Sequence, residues 1–262
     1  MNNNKYVSNY QVFARYYDKY MSQVDYDQWI EFVLNQYNYV FGQSPEQILE
    51  LACGTGNISN RLIQRGFNVD ASDLSSQMLK IARKKPFPAK FFQADMLSPI
   101  SLNKYHLILV LFDSINYLTK QKDIDILFSN IYNGLNSEGI FIFDISTIRS
   151  CRENFDGFIN IEDDENGYLI QVSDFDKKKF EQKNRITLFV PDKDLYYRYD
   201  ELHTQKIYRV QEMINIIERS RLELIDIYHI DKGIEIRLNE KEYDYADNIF
   251  NRLFFVLGKN YA

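Results

Sequence analysis

The middle of the chain alternates short apolar runs with stretches whose apolar residues recur at helical spacing. Five strand-sized runs stand out, at 48–51, 67–71, 90–93, 105–111 and 140–145. Helical spacing fills the intervals, for example over 74–82, where Met78, Leu79 and Ala82 share one face. Strands separated by helices form parallel βαβ units with right-handed crossovers. The pattern therefore predicts an α/β fold with a mostly parallel, Rossmann-like sheet.

This rhythm breaks after residue 145. Residues 158–208 alternate apolar and polar positions instead, which predicts antiparallel strands with one solvent-exposed face. We expect these strands at 168–175, 185–190, 195–199 and 202–208. Helical spacing then resumes near Met213, and two late strands are predicted at 222–228 and 252–257. Before the core, 12–21 and 26–40 have the spacing of two helices.

The predicted organisation is therefore a core interrupted by an insertion. Residues 1–45 form an N-terminal helical cap. Residues 46–150 and 209–262 form the α/β core, and residues 151–208 form an inserted antiparallel sheet that acts as a lid.

Composition narrows the class of protein. The 262 residues are 45% hydrophobic and 26% charged, an ordinary globular balance, and the net charge of -6 gives no basic field for nucleic acid. Cys53 and Cys151 lie too far apart in sequence to form a disulfide framework, which favours a reducing, cytoplasmic location. No apolar run approaches the ~20 residues that cross a bilayer. We expect no nucleic-acid or membrane partner, and a monomer or a homodimer.

Tyrosine is unusually frequent and unevenly placed. Of the 20 tyrosines, eight fall within 6–39 and five within 168–208, whereas only three lie between residues 45 and 145. Tyrosine combines an apolar ring with a hydroxyl, which suits the wall of a pocket. We expect the leading helices and the inserted sheet to form an aromatic enclosure over the site.

A glycine-rich turn follows the first predicted strand. Gly54 and Gly56 permit backbone conformations that other residues avoid, and the next helix points its amides back at this turn. By itself the turn is weak evidence, since it also fits an ordinary connection between a strand and a helix.

Two aspartates at successive strand ends strengthen the case for a nucleoside site. Asp73 lies 19 residues after Gly54, where a carboxylate can accept both hydroxyls of a ribose. Asp95 ends the third strand and could accept from the amino group of adenine. Apolar surface for the faces of the base would come from Leu74, Met78 and Met96. Each aspartate also fits a helix N-cap or a solvated turn, but three such elements converge at one sheet edge.

Two other nucleotide motifs do not match. A dinucleotide loop needs a third glycine where Ser59 stands, and a P-loop needs Gly-Lys-Ser/Thr where Gly56 is followed by Asn57.

The order of these residues resembles class I S-adenosylmethionine-dependent methyltransferases. The family motif, acidic-x-Gly-x-Gly-x-Gly, matches Glu50, Gly54 and Gly56, with Ala52 in place of the first glycine. Small bacterial members are more similar still. They share a Tyr-Asp…Tyr-x-x-Trp start, found here as Tyr17-Asp18 and 26–29, an Asp-Ser-x-Asn-Tyr segment at 113–117, and a β insertion after the fifth strand. The resemblance implies a seven-stranded sheet of order 3-2-1-4-5-7-6 and S-adenosylmethionine as cofactor, with no metal.

The resemblance also implies roles for individual residues. Glu50 and the backbone of Ala52, Cys53 and Gly54 would hold the methionine part of the cofactor, with Asp73 on the ribose and Asp95 on the adenine. The Leu111 carbonyl would accept from the methionine amino group. Tyr17 and Trp29 would close over the cofactor, although Trp29 also fits an amphipathic helix anchor.

The candidates for the acceptor side are His203 and the segment that holds Asp113, Asn116 and Tyr117. A histidine can act as a base near neutral pH, and His203 lies in the predicted lid. It also fits a histidine that packs under the sheet or faces water.

Three functions are compatible with the sequence. The first is methyl transfer to an N or O nucleophile of a small molecule by in-line displacement, favoured by the acidic surface and the lid. The second is methylation of RNA or protein, although the Asn-Pro-Pro-Tyr signature of base-amino methylation is absent after the fourth strand. The third is a non-catalytic scaffold that binds the cofactor. The sequence leaves open the acceptor, the choice between N and O, and the need for a general base.

Overall fold

The computed structural model describes residues 5–164, 167–231 and 233–259, which form two sheets and their flanking helices. In chain order the strands are β1 (Lys5–Tyr6), β2 (Gln47–Leu51), β3 (Asn68–Asp73), β4 (Lys90–Gln93), β5 (Tyr105–Val110), β6 (Leu135–Ser146), β7 (Phe158–Asp164), β8 (Gly167–Asp176), β9 (Glu181–Asp192), β10 (Leu195–Lys206), β11 (Leu222–Asp231), β12 (Ile234–Arg237) and β13 (Arg252–Lys259). The α-helices are α1 (Ala14–Tyr20), α2 (Tyr26–Phe41), α3 (Asn57–Gln64), α4 (Ser76–Ala82), α5 (Gln121–Gly134), α6 (Ile148–Asn154), α7 (Val210–Glu218) and α8 (Ala246–Ile249).

The larger sheet has the strand order that the family resemblance implies. From one edge it runs β4-β3-β2-β5-β6-β13-β11, which is the order 3-2-1-4-5-7-6, and the pairs from β4 to β6 are parallel. β13 pairs antiparallel with both β6 and β11. The predicted count of seven strands is wrong by one, because β12 adds an eighth at the edge. That strand has four residues and three of them are exposed, so it leaves little apolar pattern in the sequence.

Both faces of this sheet are buried. In β5, Ile108 belongs to the apolar cluster of α5 and α7, whereas its neighbour Leu109 belongs to the cluster of α2 and α3 on the opposite face. Consecutive residues of a strand point to opposite faces, so an unbroken apolar run is expected where helices cover both sides.

The smaller sheet is antiparallel from β10 to β7, in the order β1-β10-β9-β8-β7. Two expectations about it are wrong. The segments 195–199 and 202–208 form one continuous strand, β10, rather than two, and β7 is a further strand. Asp200 and Glu201 look like a polar break in the sequence, but both are buried acceptors of hydrogen bonds.

The leading segment, residues 5–41, packs against both sheets. α1 packs against β8 and β9 through the apolar cluster of Phe13, Leu169 and Leu188. α2 packs on the larger sheet through Ile30, Val33 and Tyr37. The domain boundaries after residues 45, 150 and 208 stay predictions. Among the helices of the described residues, none has the length and apolar character that a bilayer crossing requires.

Candidate active site

The turn after β2 places three residues in the left-handed region. Ala52 has φ 52°, Gly54 has φ 56° and Gly56 has φ 73°. A Cβ added to Gly54 would meet no heavy atom within 4 Å, so the backbone at Gly54 is open to a ligand. A Cβ added to Gly56 would approach 2.9 Å from Phe91 Cζ. Gly54 therefore exposes the main chain, whereas Gly56 lets the turn pack against β4.

The left-handed conformations in this turn predict opposite effects on stability of adding a Cβ at Gly56 and removing the Cβ of Ala52. Gly56→Ala is expected to destabilise the protein by about 1–3 kcal/mol, from the left-handed conformation and the contact with Phe91. Ala52→Gly is expected to be neutral or stabilising by up to about 1 kcal/mol, because it relieves a left-handed alanine. Urea unfolding checks both variants. Equal losses in the two would contradict the assignment.

Asp73 ties this turn to the end of β3. Its Oδ2 accepts from the backbone N–H of Gly54 at 2.8 Å and its Oδ1 from that of Ser75 at 2.7 Å. Burial raises the pKa of Asp73, and the two backbone hydrogen bonds oppose that rise. A carboxylate has about four lone-pair positions, so two stay free for ligand hydroxyls.

A cavity of about 620 Å³ opens beside the turn and the ends of β3 and β4. Of the predicted cofactor residues, it brings together Tyr17, Ala52, Gly54, Asp73, Leu74, Met78, Asp95 and Met96. Within the described part of the chain, its walls carry two aspartates and no lysine, arginine or histidine. The volume lies in the range of small-molecule sites.

A smaller recess of about 30 Å³ continues behind the turn, lined in part by Glu50, Cys53 and Leu111. Glu50 is buried, and its Oε2 accepts from the backbone N–H of Ser59 at 2.9 Å. Burial raises the pKa of Glu50 to about 8. The Leu111 carbonyl accepts from the Ser114 hydroxyl at 2.7 Å, which leaves it a second lone pair.

Asp113 and Asn116 hold the wall of the cavity together and do not line it. Asp113 Oδ1 accepts from Arg252 at 2.8 Å, and Oδ2 accepts from Gln205 at 2.6 Å. Arg252 also pairs with Asp144, whose pKa is raised by burial to about 6. Asn116 is fully buried and uses both ends of its amide, donating to the Lys206 carbonyl at 2.7 Å and accepting from Ser146 N–H at 3.2 Å.

Tyr117 lines the cavity, and His203 lies behind it. The Tyr117 hydroxyl is 2.7 Å from the Tyr10 hydroxyl and 2.9 Å from His203 Nδ1. His203 Nε2 is 3.1 Å from Glu201 Oε2. His203 is buried and does not reach the cavity directly, so any role in chemistry must pass through the two tyrosines.

Trp29 is not among the residues that line the cavity or the recess. Its ring stacks on Phe112, with centroids 4.0 Å apart, and Phe112 lines both spaces. Gly56 lies outside both as well, for the packing reason given above.

The aromatic wall of the cavity comes from the leading segment and from Phe112 and Tyr117 after β5, and not from the tyrosines of the smaller sheet. Tyr10 and Tyr17 line the cavity, whereas Tyr196 and Tyr197 are 54% and 58% exposed at a hairpin of that sheet. β10 supports the walls instead through three alternate residues: Glu201 bonds the start of α1, His203 bonds Tyr117 and Gln205 bonds Asp113. Alternate residues of a strand share a face, so one strand reaches three elements.

Sequence reasoning missed Tyr10, Glu201, Gln205 and Arg252. Tyr10 had one usable signal, the excess of tyrosine in the leading segment. The other three residues left no signal in the sequence. The partners that join them to other elements of the wall, Tyr10 and Asp113, lie between 92 and 191 positions away in the chain.

Comparison with known proteins identifies the class that this fold and site define. A model of the methyltransferase domain matches residues 48–139. YqeM of Bacillus subtilis strain 168, a protein named as a candidate methyltransferase, is 32% identical over 221 residues, covering 82% of this chain and 87% of YqeM. A crystal structure of an S-adenosylmethionine-dependent methyltransferase from Clostridium acetobutylicum superposes with a TM-score of 0.77 at 25% identity, covering 96% and 99% of the two chains. The glycine/sarcosine N-methyltransferase of Halorhodospira halochloris is 32% identical over 120 residues, 44% of this chain and 42% of that protein.

The chain therefore belongs to the class I S-adenosylmethionine-dependent methyltransferases. The resemblance drawn from the glycine turn and the spaced aspartates is confirmed, as is the predicted fold class.

Proposed function

We propose that this methyltransferase acts on an N or O nucleophile of a small molecule, within the cavity between the glycine turn and the tyrosine wall. The observation that carries the proposal is the cavity itself, which joins an exposed glycine backbone, two strand-end aspartates and three tyrosines in one space. A pocket of this size suits a small acceptor better than a polymer.

The residues present fit the cofactor. Open space above Gly54 admits a ligand against the main chain, and Asp73 has acceptor positions left for ribose hydroxyls. Asp95 would accept from adenine, with Leu74, Met78 and Met96 beside the ring. Glu50 would face the methionine end from the recess. The bound cofactor supplies an electrophilic methyl group on sulfur, and the chain's part is to align the acceptor with it.

Cofactor binding at pH 7 is expected to release about one proton from Glu50. With its pKa raised to about 8, Glu50 is mostly protonated in the free protein, and a cationic amino group beside it favours the carboxylate. Calorimetric titrations in two buffers of different ionisation enthalpy measure the release. Glu50→Gln should bind more weakly and release no proton, while Asp95→Asn should bind more weakly and still release it. Equal release from Glu50→Gln and the unchanged protein would refute the assignment.

The charge of the cavity argues against anionic acceptors. Its described walls hold no basic side chain, and both of their carboxylates are assigned to the cofactor, so an acceptor carboxylate or phosphate would enter without a partner. The Halorhodospira relative is named for glycine and sarcosine, which both carry a carboxylate. We infer that the acceptor of this chain is an amine without such a group.

Matched pairs of acceptors test this proposal. Glycinamide, ethanolamine and tyramine are compared with glycine, phosphoethanolamine and tyrosine, with release of S-adenosylhomocysteine as the readout. The member without the anionic group should react at least tenfold faster. Faster reaction of the anionic members would overturn the inference about charge, and methylation of bulk tRNA alone would favour the RNA hypothesis. Tight cofactor binding without methyl transfer to any acceptor would favour the scaffold.

A further inference from the structure

Four side chains form a continuous hydrogen-bonded row from the cavity into the protein. Tyr10 and Tyr117 line the cavity, with their hydroxyls 2.7 Å apart. Tyr117 is 2.9 Å from His203 Nδ1, and His203 Nε2 is 3.1 Å from Glu201. The row draws on the leading segment, the 3-10 turn Ser114–Tyr117 and β10.

The surroundings of Glu201 fix the direction of these bonds. Its two oxygens accept from the backbone N–H groups of Tyr10, Val12 and Phe13 at 2.7, 2.7 and 2.9 Å. Burial alone would raise the pKa of Glu201, but hydrogen bonds from His203 and from the backbone of Phe13 and Val12 hold it below the ordinary value. An ionised Glu201 accepts only, so His203 must carry its proton on Nε2.

The donor and acceptor order of these hydrogen bonds continues from His203 to the cavity. With its proton on Nε2, His203 presents a bare Nδ1 that accepts from Tyr117, and the Tyr117 oxygen then accepts from Tyr10. Burial raises the pKa of both tyrosines, so both hydroxyls stay protonated. Because its own proton is engaged, the Tyr10 oxygen is left as an acceptor at the cavity wall.

We propose that Tyr10, Tyr117 and His203 form a proton relay, oriented by Glu201, that takes a proton from the bound acceptor. Tyr10 is the catalytic residue that touches the acceptor, and His203 and Glu201 are positioning residues that act through it. The relay rests on the proposed function, since it needs an acceptor with a proton to lose.

The proton and electron count closes for an amine. An acceptor ammonium gives a proton to Tyr10, Tyr10 gives its own to Tyr117, and Tyr117 gives its own to His203 Nδ1. The imidazolium that results is paired with Glu201. The neutral amine then forms a bond to the methyl carbon, while the carbon–sulfur bond breaks and its electron pair stays on sulfur. General base assistance of this kind contributes about 10²–10⁴-fold.

Three elements place their groups around His203. Glu201 faces it from β10, Tyr117 from the 3-10 turn, and the rings of Tyr10 and Phe13 from the leading segment at 4.7 and 6.4 Å. Asp113 lies close to the tyrosine pair, and its charge is paired with Arg252 at 2.8 Å. The hydrogen-bond and ring partners of His203 in the described chain include no lysine or arginine, so the imidazolium meets one carboxylate and neutral rings.

The first test reads the tautomer without any acceptor. Long-range proton–nitrogen NMR of the three histidines, assigned with His203→Gln, should show His203 with its proton on Nε2. Tyr117→Phe should shift the Nδ1 resonance towards that of an unbonded nitrogen, and Tyr39→Phe, which removes an exposed hydroxyl from α2, should not. A proton on Nδ1, or no shift in Tyr117→Phe, would overturn the relay.

The second test uses the fastest amine of the matched pairs. Tyr10→Phe, Tyr117→Phe and His203→Gln should each lower kcat about a hundredfold and reduce its solvent isotope effect, with cofactor affinity unchanged. Tyr39→Phe should retain kcat within twofold. Full kcat in Tyr117→Phe would contradict the relay and leave the proposed function intact. Absence of cofactor binding in the unchanged protein would contradict the proposed function itself.

Discussion

Replacing Asp73 by alanine is expected to weaken S-adenosylmethionine binding by a hundredfold or more. The carboxylate holds the turn through Gly54 N–H and Ser75 N–H and keeps two acceptor positions for ribose hydroxyls. Each hydrogen bond to a charged group contributes about 1.5–3 kcal/mol, so losing two ribose contacts alone gives at least a hundredfold. Isothermal titration with the cofactor measures the loss.

Asp70→Asn is the matched control for this change. Asp70 lies on the same strand, is equally buried and pairs with Lys104 and Tyr105 away from the cavity. Its replacement should lower stability and leave cofactor affinity within threefold. Asp73→Asn should fall between the two, since one amide oxygen can still serve one of the backbone donors. Unchanged affinity in Asp73→Ala would refute the ribose assignment.

Glu201→Gln is expected to destabilise the protein by about 3 kcal/mol, which corresponds to a fall in Tm of about 6–12 °C. The two carboxylate oxygens serve four donors, namely three backbone N–H groups and His203. In either orientation of the glutamine amide, its NH₂ group faces two of those donors and leaves them without an acceptor. Calorimetry measures the loss, and hydrogen exchange should localise it to the amides of Tyr10, Val12 and Phe13.

Glu181→Gln provides the comparison on the neighbouring strand. Glu181 forms an exposed ion pair with Lys183, of the kind that contributes about 0–1 kcal/mol. A loss in Glu181→Gln as large as that in Glu201→Gln would show that any charge removed from this sheet has the same effect. Unaltered exchange at Tyr10 in Glu201→Gln would contradict the role of Glu201 at the start of α1.

The larger sheet could be predicted because its information is local. The central strands β5 and β6 contain unbroken apolar runs at 107–110 and 140–143, and the right-handed crossover of βαβ units limits the possible orders. The edge strand β12 was not predicted, because three of its four residues are exposed and the strand leaves little apolar pattern in the sequence. In β10, Asp200 and Glu201 resembled a polar break, because nothing local shows that Thr187 and the backbone before α1 donate hydrogen bonds to them.

The candidate site divides in the same way. Gly54, Asp73 and Asp95 could be found from spacing, because the carboxyl ends of parallel strands meet at one edge. His203 lies behind Tyr117 and not at the cavity, so its role as a base stays a prediction. Asn116, chosen with Tyr117 from one short segment, points its amide into the protein frame.

The sequence alone determined the sheet, the turn and the strand-end carboxylates, because each follows from residues within a few positions or one crossover of each other. Only the tertiary structure decided which side chains surround the acceptor space. Glu201 and Tyr10 are 191 positions apart in the chain. The other partners of this wall are separated by 92 and 139 positions, and no periodicity links them. They meet because a strand of the inserted sheet presents alternate residues to the leading segment, a contact that packing creates and local pattern does not encode.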